Sequence, residues 1–202
     1  MKNILIIGGT KGIGKAIVDQ LVNENTVICM SRNSTEFSHN NYTHTTFDST
    51  VDELPDIEKV DTLIYCPGSI NLKPISTLSI DDFRKDFEIN VIGAVKAIKK
   101  YIPLLKKGLN PSILLFSTVA TKLGMPYHAS VSASKSAIDG IVKTLGAELA
   151  PKIRINAIAP TITKTELASK ILRNDKVVEN CLLYTSDAAD EGLGVDLGGR
   201  RI

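Results

Sequence analysis

The residues best placed to do chemistry are a glycine cluster near the N-terminus and a few polar residues in the middle of the chain. Gly8-x3-Gly12-x-Gly14 follows directly on Ile4-Leu5-Ile6-Ile7, a short and wholly apolar run. Such a run suits a strand buried on both faces of a parallel sheet. Ile13, Ala16, Ile17, Gln20 and Leu21 then recur at helical spacing, so the opening predicts strand, glycine loop, helix. Glycines at that junction let backbone N–H groups approach a pyrophosphate, and the helix N-terminus adds partial positive charge. A second candidate is Asn90, which shares an apolar helical face with Phe83, Phe87 and Ala94. An amide on such a face needs hydrogen-bond partners; it either satisfies a backbone carbonyl or serves a site. A lone Lys135 is by default a surface lysine. Cys29, Cys66 and Cys181 have neither metal-ligand nor disulfide-framework spacing, so no metal site is expected.

The elements that must position these residues alternate along the chain. Strands are predicted at Thr26–Met30, Thr43–Phe47, Asp61–Cys66, Ser112–Phe116 and Ile153–Ala159. A long helix opens at Ser79 with Asp82 three residues on, a capping-box-like start. Phe83, Phe87, Asn90, Ala94, Ile98 and Ile102 keep one face of it. Ser130–Ala150 is a second long helix, and the polar stretch Asn33–Asn41 has little helical pattern. Alternating strand and helix argue for an α/β fold, a doubly wound parallel sheet of the Rossmann type.

The 202 residues are 23% charged, with a net charge of +2 and no basic block, which gives nucleic-acid binding little support. No apolar run is long enough to span a membrane, and no signal peptide opens the chain, so a cytoplasmic, reduced protein is expected. Composition shifts at Cys181–Ile202. The codons TGT CTC TTA TAC ACA TCT give Cys181 to Ser186, and GTA GAT CTC GGT GGT CGC CGT ATC give Val195 to Ile202. This is the reading frame of a sequencing-library adaptor. The expectation is therefore one dinucleotide-binding domain over 1–180, incomplete at its C-terminal end, followed by a non-native tail over 181–202.

Beyond the glycine loop, four blocks carry a likeness. Asn90-Val91-Ile92-Gly93 matches an NxxG motif in the long helix. Ser117-Thr118 ends the fifth strand. Val131-Ser132-Ala133-Ser134-Lys135 matches Y-x-A-S-K, and Pro160-Thr161 follows the sixth strand. From Ile4 to about Thr165 the chain resembles the short-chain dehydrogenase/reductase family, in general look its 3-oxoacyl-carrier-protein reductase type. The family's loop is usually TGxxxGxG; here Ile7 replaces the threonine and the three glycines stand.

The resemblance implies an oxidoreductase that interconverts a carbonyl and an alcohol by hydride transfer with a small-molecule substrate, as a homodimer or homotetramer. It implies a cofactor held by Gly8, Thr10, Lys11, Gly12, Ile13 and Gly14, by Ser31 and Arg32 after the second strand, and by Asp48 after the third. Cys66, Pro67 and Gly68 stand where the family has its Asn-Ala-Gly; Pro160, Thr163 and Thr165 stand where it meets the nicotinamide. An acid at the end of the second strand would accept the ribose 2′-hydroxyl of NAD. Ser31-Arg32 stands there instead, and Arg32 with Lys11 suits a 2′-phosphate, which favours NADP(H) over NAD(H). The alternative is two ordinary surface cations. Asp48 has an alternative as a cap.

In the family an Asn fixes a relay water, a Ser holds the substrate oxygen, a Tyr is the general acid/base, and a Lys binds the nicotinamide ribose. Carried over, these roles fall on Asn90, Thr118, Val131 and Lys135. Thr118 keeps a hydroxyl. Val131 cannot transfer a proton, a loss of about 10² to 10⁴ in rate. Tyr127, if the helix began early enough to share a face with Val131, or His128, is a candidate substitute; otherwise both line a pocket or the surface. A non-catalytic dinucleotide-binding relative, a sensor or partner subunit, is the alternative reading.

Overall fold

The computed structural model describes residues 1–169. The tail expected over 181–202 and the boundary at 180 lie outside the described residues. Six parallel strands form one sheet in the order β3-β2-β1-β4-β5-β6. They are β1 (Asn3–Ile7), β2 (Thr26–Ser31), β3 (Tyr42–Thr46), β4 (Thr62–Tyr65), β5 (Ser112–Phe116) and β6 (Arg154–Ile158). Each lies within two residues of its sequence-based placement. The strand order reverses between β1 and β4, and a crevice opens at the carboxyl ends of strands at such a point.

Alternation along β1 explains why its sequence is apolar throughout. Ile4 and Ile6 pack with Val18, Val22, Val27 and Ile64 on the side of helix α1 (Gly12–Leu21). Leu5 and Ile7 face the opposite way, into a larger core with Leu63, Tyr65, Ile113 and Leu115. That core is completed by Ala94, Ile98 and Tyr101 of helix α3 (Gly93–Leu105) and by Ile138 of helix α5 (Ala129–Leu149). A strand covered on both faces has no polar side to show.

The long helix that opens at Ser79 is interrupted. Helix α2 (Ile80–Phe87) starts with a full capping box between Ser79 and Asp82. A π-helical turn over Glu88–Ile92 follows, and α3 resumes at Gly93. The expected face is corrected here: Phe87 is 40% exposed, while Asp86 is 2% exposed and takes the inward position above Asn90 and Ala94. Asp86 turns inward because two serine hydroxyls wait there for its carboxylate. Between β5 and α5 lies a short helix, α4 (Ala120–Leu123). Among the described residues no helix is long and apolar enough to cross a membrane.

Candidate functional site

The glycine loop joins β1 to α1 at the switch point. Gly12 has φ +54°, a left-handed conformation that favours glycine. A Cβ on Gly14 would lie 2.2 Å from the Gly8 carbonyl oxygen, so backbone alone can occupy that place. The loop is tied to β2 by side chains: the Thr10 hydroxyl donates to Ser31 Oγ at 3.0 Å, and Ser31 donates to the Asn33 carbonyl at 3.0 Å. His44 Nε2 is 2.9 Å from the same Ser31 oxygen. Ser31 thus braces the loop against β2 and β3.

A cavity of about 450 Å³ opens over this loop. It is lined by the loop residues Gly8, Thr10, Lys11, Gly12, Ile13 and Gly14, by Ser31, Arg32 and Asp48 at the ends of β2 and β3, and by Cys66, Pro67 and Gly68 after β4. Thr165, Glu166 and Leu167 also line it. Arg32 is exposed and makes no ion pair among the described residues. Lys11 donates to Glu166 at 2.7 Å; a pair this exposed contributes at most about 1 kcal/mol. Glu166 was not legible as a partner, since 155 residues separate the two. Asp48 lines the cavity and also caps a turn, accepting from the Thr50 hydroxyl at 2.7 Å and the Thr50 amide at 2.9 Å. Those bonds, aided by the Arg32 charge, hold its carboxyl below the usual carboxylate range. Burial pushes the Cys66 thiol up to about 12, so it lines the wall as a neutral group.

The second half of the site stands behind Gly68. A Cβ on Gly68 would lie 3.4 Å from Asn90 Oδ1 and 3.6 Å from Lys135 Nζ. Lys135 is 8% exposed and donates to the Phe116 carbonyl at 2.8 Å. Burial lowers its ammonium to about 8, with Cys66 and Asp139 pulling weakly the other way. The Asn90 amide donates to Ser69 Oγ at 2.9 Å and to the Asp86 carbonyl at 2.8 Å, while its Oδ1 is buried without a hydrogen-bond partner among the described residues.

The π turn that presents Asn90 has an identifiable brace. The Gly93 amide bonds to the Glu88 carbonyl, and the Ile89 carbonyl accepts from the Tyr65 hydroxyl at 2.7 Å. A Cβ on Gly93 would sit 2.1 Å from that hydroxyl. Gly93 is therefore required because Tyr65 fills the space. Sequence reasoning missed Ser69, Asp86 and Ser130, which form a polar cluster beside Asn90. The four-residue spacing from Asp86 to Asn90 is the signal that could have placed both on one face.

Ser130, Val131, Ser134, Lys135 and Ile138 are the buried positions in the first half of α5, so Val131 lies one turn before Lys135 on its inward face. Thr118, at the end of β5, accepts from the Ala120 amide at 3.3 Å, and its hydroxyl lies 3.5 Å from the Pro160 carbonyl. Asn90, Thr118, Lys135, Pro160 and Thr163 do not form the cavity wall itself; Thr163 is exposed and bonds to the Thr161 carbonyl. Tyr127 does not share a face with Val131. It precedes the helix with φ +66° and is 60% exposed. With His128 it lines a separate cleft beside Lys73 and Ser136.

The residues present fit a dinucleotide: a cradle only glycine allows, Arg32 and the Glu166-paired Lys11 in its lining, and an unpartnered buried acceptor and a buried ammonium both near Gly68. The comparisons agree. Residues 2–176 match the family model described as short chain dehydrogenase. An uncharacterized oxidoreductase of Schizosaccharomyces pombe is 31% identical over 86% of this chain and 75% of its own length. A short chain dehydrogenase family protein of Francisella tularensis superposes with TM-score 0.76 at 27% identity, over 89% of this chain and 76% of that one. ElxO, solved with NADP bound, gives TM-score 0.75 at 29% identity, over 85% and 78%. Fold, glycine cradle and sequence relationship meet in one conclusion: this chain belongs to the short-chain dehydrogenase family.

Proposed function

We propose that this protein binds NADP(H) in the glycine cradle and belongs by descent to the enzymes that interconvert a carbonyl and an alcohol. The observation that carries the cofactor reading is the placing of Arg32 and Lys11 on the rim of the glycine-floored cavity, where a NAD-type site would have an acid. The bound cofactor would supply or accept the hydride. Gly8, Gly12 and Gly14 would admit its pyrophosphate, Arg32 and Lys11 its 2′-phosphate, and Lys135 its nicotinamide ribose. Thr118 would orient the substrate oxygen, and Asn90 would hold a proton-relay water.

What the chain's own side chains do not supply is the proton. Val131 stands at the acid/base position; Tyr127 precedes the helix and is 60% exposed, and with His128 it lines a separate cleft. That observation favours a second reading, in which the protein binds NADP(H) without turning it over efficiently. Thermal shift and calorimetry with NADPH and NADH, followed by NADPH consumption with a panel of ketones, test both. Stabilisation by NADPH with little or no turnover is the expected result. Rapid turnover by the unaltered protein rejects the account of Val131, and no stabilisation by NADPH rejects the cofactor assignment.

A further inference from the structure

Asp86 is a buried carboxyl that the site as described does not use. It is 2% exposed and forms no salt bridge among the described residues. Burying such a group is costly unless hydrogen bonds satisfy it. The other deeply buried acid, Asp61, has a purely architectural account: it accepts from the Asn3 amide at 2.7 Å and the Leu109 amide at 2.6 Å, pinning the start of β1 to the loop before β5. Asp86 takes no backbone amide. Its two oxygens accept from side chains of two other segments: Ser69 Oγ at 2.6 Å, from the loop after β4, and Ser130 Oγ at 2.5 Å, from the first turn of α5.

These bonds have a direction. An ionised carboxylate only accepts, so each serine spends its single hydroxyl proton on Asp86. Ser69 Oγ is left as an acceptor, and the Asn90 amide nitrogen donates to it. The second amide hydrogen goes to the main-chain carbonyl of Asp86 itself. One residue therefore claims both hydrogens of the Asn90 amide, directly or through Ser69. The amide oxygen is left facing away from both partners, unpartnered at Gly68, where a Cβ would lie 3.4 Å from it and 3.6 Å from Lys135 Nζ.

We propose that Asp86 is a positioning residue: through Ser69 it fixes the amide of Asn90 with its oxygen at Gly68, the glycine that Lys135 also approaches, and through Ser130 it locks the start of α5 to the same point. The proposal rests on the cofactor reading, in which Lys135 meets the nicotinamide ribose. It assigns Asp86 to the nicotinamide half of the pocket and gives it no part in the adenosine half.

The test compares two probes, NADPH and adenosine 2′,5′-bisphosphate, which carries the 2′-phosphate but no nicotinamide ribose. Ser69→Ala cuts the link to Asn90 and leaves Asp86 bonded to Ser130. Asp86→Asn keeps the shape but replaces one acceptor oxygen with an amide donor, so one of the two serine bonds must reverse. Both variants should bind NADPH about 3- to 10-fold more weakly, the scale of one hydrogen bond, and bind the bisphosphate unchanged. Equal weakening of both probes overturns the proposal, because a merely structural acid would act on the whole pocket. Unchanged NADPH binding in Ser69→Ala overturns it as well, and that variant carries the test if Asp86→Asn fails to fold. A wild-type chain that binds neither probe overturns the cofactor reading, and the proposal falls with it.

Discussion

The glycine cradle and the nicotinamide-side cluster are built on different principles. The cradle's floor is backbone, contributed by one continuous stretch from Gly8 to Gly14 and braced by Ser31. What it needs from sequence is mostly the absence of side chains, and it tolerates drift: Ile7 stands in place of the family's threonine while the loop keeps its form. The cluster behind Gly68 depends on side chains from α2, the π turn, α5 and the loop after β4, held in part by the main-chain carbonyls of Phe116 and Asp86. There the proposed proton donor's position is held by one side chain, Val131, which carries no exchangeable proton. A role written in backbone is expected to survive side-chain change; one written in a single side chain is not.

Val131→Tyr tests that separation most severely. A phenol one turn before Lys135 should raise ketone reduction by about 10²- to 10⁴-fold while leaving NADPH affinity within about twofold. Paired assays of turnover and calorimetric binding check it. A gain in affinity as large as the gain in rate breaks the division between the two regions.

Arg32→Ala addresses the cradle's rim. NADPH should bind more weakly by about 1–3 kcal/mol, about 5- to 150-fold, with NADH little affected. Titrating both cofactors decides it: matched losses show that Arg32 does not read the phosphate.

Gly14→Ala probes the backbone rule directly. Its Cβ would lie 2.2 Å from the Gly8 carbonyl oxygen, and no flexible side chain is there to yield. Overpacking of this kind costs about 1–3 kcal/mol. Urea unfolding should show that loss together with weaker NADPH binding. A variant as stable as the parent means that the loop has slack the geometry does not show.

The pH dependence of binding is the smallest effect and belongs to the other region. Burial lowers Lys135 to about 8, so the free protein holds the ammonium below that pH and the neutral amine above it. Ribose hydroxyls accept hydrogen bonds from the ammonium, so binding above that pH must take up a proton. NADPH affinity should therefore fall as pH rises beyond about 8, by at most about tenfold per unit. Lys135→Met should flatten that slope, and calorimetry in buffers of different ionisation enthalpy should report the proton uptake. A slope that persists in Lys135→Met assigns the titration elsewhere.

Much of this molecule was legible along the chain because its signals are local. An apolar run followed by glycines and a helical repeat specifies strand, loop and helix within about twenty residues. Ala133, Ser134 and Lys135 set the register that identifies Val131. The capping box at Ser79 was equally plain. What the sequence alone could not decide is which residues meet once the crossovers close. Phe87 and Asp86 compete for one inward position, and only the hydroxyls of Ser69 and Ser130, 17 and 44 residues away, settle it for the acid. The π turn at Asn90 depends on a tyrosine of β4 filling the space that Gly93 vacates. Periodicity and propensity act within a turn or two of chain. Partners for buried polar groups come from wherever the sheet brings segments together, and that is a property of the tertiary structure.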